Sequence, residues 1–283
     1  MAIDEGMSMT EQLSPIGRCQ SILVASDGSE FSAGAVREAI AIAHKCGARL
    51  YALTVVQTNP EYEALAPNLV AQADADAQAT LAKIQTDASA RGVTCETLAR
   101  HGAQIYEEVV AAAEKLNVDL IIVGRHGKSG LMRLLMGSTT KKIIGFARRP
   151  VMVVPRTADV LGKDLLLATD GSRYSDAAAV TAAALGKLCD TTVTVLSVDD
   201  GESVADAQAV VERTTALMAA EGAKVQGEVG AGRPDEVIVK TAEARKAGLI
   251  VLGSHGHTGL ERLLMGSVSE RVIGHAQGAV LVV

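Results

Sequence analysis

The sequence contains two copies of the same unit, and this duplication limits its possible folds more than any other feature. ILVASDGSEFS at 22–32 returns as LLLATDGSRYS at 165–175, and GRHGKSGLMRLLMGS at 124–138 returns as GSHGHTGLERLLMGS at 253–267. Ten of the fourteen positions in 124–137 are identical in 253–266. A repeat of about 140 residues is too long for a solenoid, whose units span about 20–50 residues. The sequence therefore predicts two tandem domains, 19–156 and 163–283, joined by a short polar link.

Each copy alternates short apolar runs with longer helical stretches. Runs such as LYALTVV and VDLIIVG show no polar alternation, which is typical of strands buried on both faces of a parallel sheet. One helical stretch carries an apolar stripe at Ile105, Val109, Ala112, Ala113 and Leu116. The order β-α-β-α-β-α-β-α-β predicts an α/β fold with two tandem, doubly wound, five-stranded parallel-sheet domains that are Rossmann-like.

Composition excludes several classes of function. The net charge is −6, and only 2% of residues are aromatic, with no Trp. A protein that binds nucleic acid or an anionic membrane would need a basic face, and a single-strand binder would need aromatic platforms. Cys19, Cys46, Cys95 and Cys189 show no C-x-x-C spacing, so we expect neither a zinc site nor a disulfide framework, and packing roles for Cys46 and Cys189. No signal-peptide pattern or ~20-residue apolar run is present, which predicts a cytoplasmic protein.

The glycine-rich loop has the features of an anion site. Neither standard phosphate motif is present, because Asp27-Gly28-Ser29 follows the first strand and Ile122 stands where a Walker A motif needs glycine. What recurs is G-x-x-G, nine residues, then G-S. We expect Gly127 to allow a sharp turn, with positive φ where needed. Gly137 and Ser138 should open a helix whose free N–H groups and dipole attract phosphate.

Serine side chains near both turns are expected to cap helices. Ser138 is placed either to cap its helix or to offer its hydroxyl to an anion, and Ser29 or Ser172 is placed to cap the helix that follows the first strand. The alternative is that the glycines only form a tight crossover and Ser138 only caps. Two copies with the same spacing favour the anion site.

The chain resembles the universal stress protein family. The likeness rests on an Asp-Gly-Ser after the first strand and on G-x-x-G-x9-G-[ST] after the fourth, in two copies that cover nearly the whole chain. The full glycine pattern is typical of the nucleotide-binding branch of that family. The resemblance implies an open five-stranded sheet, adenine-nucleotide alpha-hydrolase-like, that binds ATP, with ADP or AMP as alternatives. Mg²⁺ is expected to bridge the phosphates and not to occupy a protein cage.

The resemblance also implies which residues bind the nucleotide. Asp27 would lie beside the adenosine, the backbone around Val55 would contact the adenine, and the glycine loop would line the ribose and phosphates. In the first copy the candidate residues are Asp27, Val55, Val123, Gly124, Arg125, His126, Gly127, Gly130, Gly137, Ser138 and Thr139. In the second copy they are Asp170, Val198, Leu252, Gly253, His255, Gly256, Gly259, Gly266, Ser267 and Val268. The segment after Val198 is shorter than its counterpart, which leaves the adenine cover of the second site in question.

No catalytic residues are assigned. His126 and His255 recur in the loop, where a histidine beside phosphates could act in acid–base chemistry, but a loop histidine more often hydrogen-bonds a neighbouring backbone group or packs locally. Lys128 is matched by His257, and Arg133 and Arg262 could reach phosphate or pair at the surface. The sequence favours an ATP-binding stress regulator over a slow ATPase or autophosphorylating enzyme, a flavoprotein subunit, or a dimerisation scaffold. We expect turnover far below the ~10 s⁻¹ median of enzymes.

The partners expected from sequence are an adenine nucleotide and a protein that the sequence does not identify. The last strands of the two copies, VMVVP and AVLVV, are apolar, and we expect them to pair the halves into an intramolecular pseudo-dimer. A further homodimer is left open.

Overall fold

The computed structural model describes residues 19–127, 136–201, 203–256 and 265–283. These residues divide into two units, Cys19–Asp159 and Val160–Val283, called domain 1 and domain 2 below. Gly130 and Gly259 lie outside the described residues, as do Lys128, Arg133, His257 and Arg262.

Domain 1 is a parallel sheet with helices between successive strands. Its elements are β1 (Ser21–Ala25), α1 (Ala33–Cys46), β2 (Arg49–Gln57), α2 (Pro60–Leu65), α3 (Pro67–Ser89), β3 (Cys95–Gly102), α4 (Ile105–Lys115), β4 (Leu120–Gly124), α5 (Ser138–Phe146) and β5 (Val151–Val154). The strand order is β3-β2-β1-β4-β5, and neighbouring strands run parallel.

Domain 2 repeats this arrangement with one helix fewer among its described residues. Its elements are β6 (Leu165–Ala168), α6 (Arg173–Cys189), β7 (Thr192–Asp199), α7 (Val204–Ala220), β8 (Lys224–Ala231), α8 (Pro234–Ala244), β9 (Leu249–Leu252), α9 (Ser267–His275) and β10 (Ala279–Val282). The order β8-β7-β6-β9-β10 is the same as in domain 1. The predicted α/β fold of two tandem parallel-sheet domains is confirmed.

The central strands form the core, as their unbroken apolar sequences predict. Ile121 and Ile122 of β4 are fully buried, and all four residues of β9 are buried. On α4, the middle of the predicted stripe (Val109, Ala112 and Ala113) is buried, whereas its end residues Ile105 and Leu116 are half-buried. Among the described residues, none of the helices combines the length and apolar composition that a membrane span requires.

The strand order places a switch point between β1 and β4. From β1 the chain crosses to β2 on one side, while β4 and β5 lie on the other, so a crevice opens at the carboxyl ends of β1 and β4. Ala25 pairs with Val123 at this edge, and Asp27 and Gly124 follow within two residues. Domain 2 has the same switch point between β6 and β9.

Candidate functional site

The turn after β1 holds the carboxylate of Asp27 in one orientation. The Asp27 Oδ1 atom accepts hydrogen bonds from the Ser29 backbone N–H at 3.0 Å and from the Ser29 hydroxyl at 2.6 Å. Gly28 has φ +74°, a left-handed conformation that favours glycine, and a Cβ there would lie 2.4 Å from Thr80 Oγ1. The capping role predicted for Ser29 is wrong, because its hydroxyl binds Asp27 and α1 begins only at Ala33.

The equivalent turn of domain 2 differs in one detail. Asp170 Oδ1 accepts from the Ser172 N–H at 3.0 Å, and Gly171 has φ +79°. Here the serine does cap, because α6 begins immediately after it. The Ser172 hydroxyl accepts from the Ser175 N–H at 3.3 Å, which confirms the capping role predicted for Ser172.

A buried hydroxyl pair beneath each turn was not foreseen from the sequence. The Ser26 and Ser32 hydroxyls lie 2.9 Å apart in domain 1, and the Thr169 hydroxyl donates to Ser175 at 3.0 Å in domain 2. Ser26 Oγ also accepts from the Gly28 N–H at 3.2 Å. The recurring S/T-D-G-S-x-x-S pattern is the sequence signal that could have indicated this pair.

Two glycines on the β4 side allow close packing against the Asp27 turn. A Cβ on Gly124 would lie 3.0 Å from the Phe31 carbonyl oxygen, and one on Gly127 would lie 3.0 Å from Asp27 Oδ2. Gly127 does not adopt a left-handed φ, so the conformational reason predicted for it is wrong. Glycine is needed there because the loop passes directly over the aspartate. The same holds in domain 2, where a Cβ on Gly256 would lie 2.7 Å from Asp170 Oδ2.

The helix after the loop begins at the other side of the crevice. Gly137 occupies the N-cap position of α5, so Ser138 is the first helical residue and not the cap, and its side chain is exposed. No side chain of the described residues caps this helix. The Gly137 N–H donates to the Arg125 carbonyl at 3.0 Å, and the Thr140 hydroxyl donates to the Gly124 carbonyl at 3.0 Å. These bonds fix the start of α5 against the end of β4.

Domain 2 repeats the same contacts. Gly266 is the N-cap of α9, its N–H donates to the Ser254 carbonyl at 2.9 Å, and the Ser269 hydroxyl donates to the Gly253 carbonyl at 3.0 Å. In both domains the first turn of this helix, at the positive end of its dipole, therefore has no side-chain cap from the described residues.

Neither the backbone angles nor the contacts with described atoms require glycine at the two N-cap positions. Gly137 has φ −60° and ψ 143°, and Gly266 has φ −65° and ψ 148°, which any residue adopts. The described atoms nearest to an added Cβ lie 3.4 Å away at Gly137 and 3.5 Å away at Gly266, which is ordinary van der Waals contact. A group that approaches the helix N-terminus closely would account for glycine in both places.

These elements surround a cavity of about 470 Å³ in domain 1. Ligand sites commonly have volumes of about 300–1,000 Å³. The candidate residues that line the cavity are Asp27, Val55, Val123, Gly124, His126, Gly127, Gly137, Ser138 and Thr139. Arg125 is not among the lining residues. Its guanidinium is half-buried, and this burial lowers its pKa from the usual range.

The sequence did not identify the side chains that cover the cavity. Asn59 caps α2, its Oδ1 atom accepting from the Tyr62 N–H at 2.8 Å, and Pro60 occupies the first turn. This short helix and the start of α3 bring Tyr62, Leu69 and Val70 to the wall of the cavity. Tyr62 remains 43% exposed and Leu69 60% exposed, although both are large apolar groups at its rim.

Domain 2 lacks the counterpart of α2 among its described residues. There β7 ends at Asp199, and α7 begins at Val204, with Ser203 as its cap. Val198 lies near the end of β7, opposite Gly230, and Leu252 ends β9. The His255 ring lies 5.2 Å from the Tyr174 ring, and Ser267 and Val268 form the first turn of α9. The residues at the end of β9 and the start of α9 are thus arranged as in domain 1, whereas the segment after the second strand differs.

The described parts of the chain contain no group of three or more His, Cys, Asp or Glu side chains arranged to hold a metal ion. Two acidic residues of α3 lie near the cavity. Asp74 contacts His101 Nε2 at 2.6 Å, and Asp76 lines the cavity wall.

The sequence of each half matches a known protein family. The sequence model of the "Universal stress protein family" matches residues 19–155 and 162–283. Universal stress protein MJ0531 of Methanocaldococcus jannaschii is 35% identical over 145 residues, which cover 48% of this chain and 82% of that protein. A universal stress protein of Archaeoglobus fulgidus has a crystal structure with a TM-score of 0.76 at 23% identity, covering 94% of this chain and 98% of its own. A crystal structure of a universal stress protein in complex with cAMP covers 43% of this chain and 95% of its own, at 24% identity and a TM-score of 0.38. The chain belongs to the universal stress protein family, with one family domain in each half.

Proposed function

We propose that the chain is an ATP-binding regulator and that the cavity of domain 1 is its principal nucleotide site. The observation that carries this proposal is the N-cap glycine of α5. Gly137 stands at an uncapped helix N-terminus, opens on a cavity of ligand size, and is required by no described contact or backbone angle. Helix N-termini with free N–H groups bind phosphate.

The arrangement of the cavity suggests how the nucleotide lies. The phosphates occupy the space between Gly127 and Ser138, where they accept hydrogen bonds from backbone N–H groups and from the exposed Ser138 hydroxyl. Asp27 is acceptor-only when ionised, and its orientation is fixed by Ser29, so it accepts from the ribose hydroxyls. The adenine lies toward Val55, under Tyr62 and Leu69.

In this arrangement Asp27 also lies close to the proposed phosphate position. Asp27 Oδ2 faces Gly127 across the crevice, so a carboxylate stands beside the phosphate side of the site. Two anionic groups in contact repel, and a divalent cation such as Mg²⁺ between the phosphates reduces this repulsion. The proposed cation is bound chiefly by phosphate oxygens.

A slow ATPase or autophosphorylating enzyme is the second candidate. Fast phosphoryl transfer needs a positioned base and charge stabilisation aimed at the transferred group. His126 lines the cavity and is the candidate base among the residues assigned to the site. Backbone N–H groups and a serine hydroxyl stabilise bound ATP in its ground state, which favours a bound ligand over a substrate with rapid turnover.

The second domain would bind more weakly. Its phosphate side repeats that of domain 1, but α7 follows β7 too closely for a second short helix to cover the base at Val198. We therefore propose two sites of unequal affinity, with the tighter one in domain 1.

Analysis of co-purified nucleotide tests this proposal most directly. The full chain, freshly purified, is denatured, and the released small molecules are identified by mass spectrometry. Released ATP, ADP or AMP supports the proposal, and visible colour with a released flavin contradicts it. Calorimetric titration with ATP, with and without Mg²⁺, then gives the affinities, and phosphate release at saturating ATP separates a regulator from an enzyme. No binding of any adenine nucleotide at millimolar concentration would refute the proposed function.

The remaining expectations stay predictions. They are the cytoplasmic location, the protein partner, and the pairing of the two halves through their last strands.

A further inference from the structure

Two exposed surfaces of domain 1 combine large apolar side chains with opposite charge. Among the described residues of this domain, the large apolar side chains that remain exposed are Tyr62, Leu65, Leu69 and Phe146. The first three lie within the short stretch 62–69, on α2 and the start of α3, and Phe146 ends α5. Large apolar groups gathered at one place on a surface mark contact sites, whereas single scattered ones do not.

The acidic surface is formed by α2 and the first turn of α3. Its residues are Glu61, Tyr62, Glu63, Leu65 and Leu69. Leu65 is 79% exposed, and none of the six residues of α2 is buried. The stretch 60–82 contains four acidic residues and no Lys or Arg. Helices in proteins are stabilised mainly by packing of an apolar face, and the apolar side chains of α2 lack such packing.

The basic surface is formed by the last part of α5 and the residues that follow it. Its residues are Lys142, Phe146, Arg148 and Arg149. Phe146 is 50% exposed, its ring lies 5.2 Å from the Tyr106 ring, and Lys142 Nζ lies 4.9 Å from the centre of the Tyr106 ring. Glu114 of α4 contacts Arg148 Nε at 3.7 Å, and the Arg148 side chain remains exposed. The stretch 138–149 contains four Lys or Arg and no acidic residue, so this surface presents positive charge around an aromatic ring.

The two surfaces lie at opposite edges of the sheet of domain 1. α2 follows the carboxyl end of β2. The basic surface leads into the amino end of β5, and the Arg149 side chain donates to Asn117, which precedes β4. Because the strands are parallel, their length separates these two edges, and the two surfaces of one domain do not meet.

Domain 2 has neither surface, although it has the same fold. It has no counterpart of α2 among its described residues. Counted from the two N-cap glycines, the counterparts of Phe146, Arg148 and Arg149 are His275, Gln277 and Gly278. Lys142 is matched by Arg271, which contacts the buried carboxylate of Asp235 at 3.4 Å. The fold therefore requires neither surface, and both occur together in domain 1, as expected for two surfaces that bind each other.

We propose that the acidic surface of one copy of this chain docks against the basic surface of a second copy. Leu65 and Phe146 form the apolar centre of the contact, and Glu61 and Glu63 pair with the basic side chains around Phe146. Complementary charge steers the two surfaces together and sets their register, and apolar burial stabilises the contact. Because each copy has both surfaces, a reciprocal contact closes a dimer, and a head-to-tail contact continues into longer oligomers.

Analytical ultracentrifugation of the full chain without nucleotide measures this association. We expect dimers or longer oligomers at low salt and a shift toward monomer between about 0.05 M and about 0.5 M NaCl, because salt screens the charges. Leu65→Ser removes an apolar group from the centre of the contact and should weaken association about tenfold or more. Leu217→Ser is the matched control, because Leu217 is an equally large side chain exposed on α7 of domain 2, and it should leave association unchanged.

Reversing the charge of each surface separates docking from a change in the fold. One variant carries Glu61→Lys and Glu63→Lys, and the other carries Lys142→Glu and Arg148→Glu. Each variant alone should be monomeric with an unchanged circular dichroism spectrum, because its two surfaces now have the same sign of charge. An equal mixture of the two should associate again, because each surface then meets its opposite on the other variant.

Three results would overturn the proposal: a wild-type chain that stays monomeric at low salt, association that neither Leu65→Ser nor charge reversal weakens, and a mixture of the two reversed variants that stays monomeric. None of these results depends on ATP, so the proposed nucleotide site and this contact can fail separately.

Discussion

Replacing Gly137 with alanine tests whether a bound ligand or the fold itself requires glycine at this position. The added Cβ meets the Arg125 carbonyl oxygen at 3.4 Å and the His126 Cα at 3.7 Å, both ordinary contacts. The backbone angles suit alanine, so the main cost to the fold is a poorer N-cap residue, about 0.5–1 kcal/mol. The free energy of unfolding should therefore fall by no more than this amount.

The same methyl group should have a much larger effect on ATP. It stands at the helix N-terminus that the phosphates would approach in the proposed site, and it would displace at least one hydrogen bond between a backbone N–H and a charged oxygen. Hydrogen bonds to charged groups contribute about 1.5–3 kcal/mol. At about 1.4 kcal/mol for each tenfold change, the dissociation constant of the domain 1 site should rise about 10- to 150-fold.

Calorimetric titration of ATP in the presence of Mg²⁺ measures this change, and urea unfolding measures stability on the same preparations. Gly266→Ala is the matched control, because its nearest described contact is 3.5 Å away. This variant should weaken ATP binding only at the lower-affinity site of domain 2. Unchanged affinity in Gly137→Ala would refute the assigned phosphate position. A loss of stability well above 1 kcal/mol would refute the argument that the fold does not need this glycine.

Three further perturbations follow from the geometry. Gly28→Ala forces a methyl group into a left-handed backbone 2.4 Å from Thr80 Oγ1, and should lower the free energy of unfolding by about 1–3 kcal/mol in urea. Tyr62→Ala removes the aromatic cover and should weaken ATP binding about 5-fold, near the lower end of base-stacking energies of about 1–3 kcal/mol, while leaving the binding of inorganic triphosphate unchanged. Burial raises the Cys95 pKa, so its contribution to stability is present below the unfolded pKa of ~8.5 and is lost as pH rises through the folded pKa. Cys95→Ser should flatten the decline in stability between about pH 8 and 10, measured by urea midpoints, and an unchanged slope would contradict this assignment.

The fold could be predicted because its determinants are local and repeated. Strands such as β4 are buried on both faces, so their sequences carry no polar position, and the helices between them have the 3.6-residue period. The order of these two patterns leaves a parallel sheet with crossovers as the simplest arrangement. The position of Asp27 and Gly124 at one edge followed from the direction of parallel strands alone.

Detailed roles in the site could not be predicted where they depend on contacts distant in sequence. The sequence predicts a turn at Gly127 that uses the conformational freedom of glycine, but the actual constraint is the carboxylate of Asp27, a hundred residues earlier. Serine is a residue type that commonly caps helices, yet the Ser29 hydroxyl binds Asp27 because α1 starts one turn later than the sequence suggests. Propensity describes what a residue can do locally, and tertiary packing decides between such alternatives.

The two sides of the proposed nucleotide site differ in how far the sequence can describe them, and the reason is physical. Phosphate would be recognised by backbone N–H groups, whose positions depend on glycines and helix starts at fixed spacing, and this spacing is visible in both copies. The base would be recognised by side chains of α2 and α3, whose contact with the cavity depends on how these helices pack over β2. The segment that forms them, 58–94, has 24 residues at 200–223 as its counterpart. If the proposed site is correct, a duplication that preserves the glycines while altering this segment would keep the affinity for phosphate and change the affinity for the base, so the two domains would respond to ATP at different concentrations.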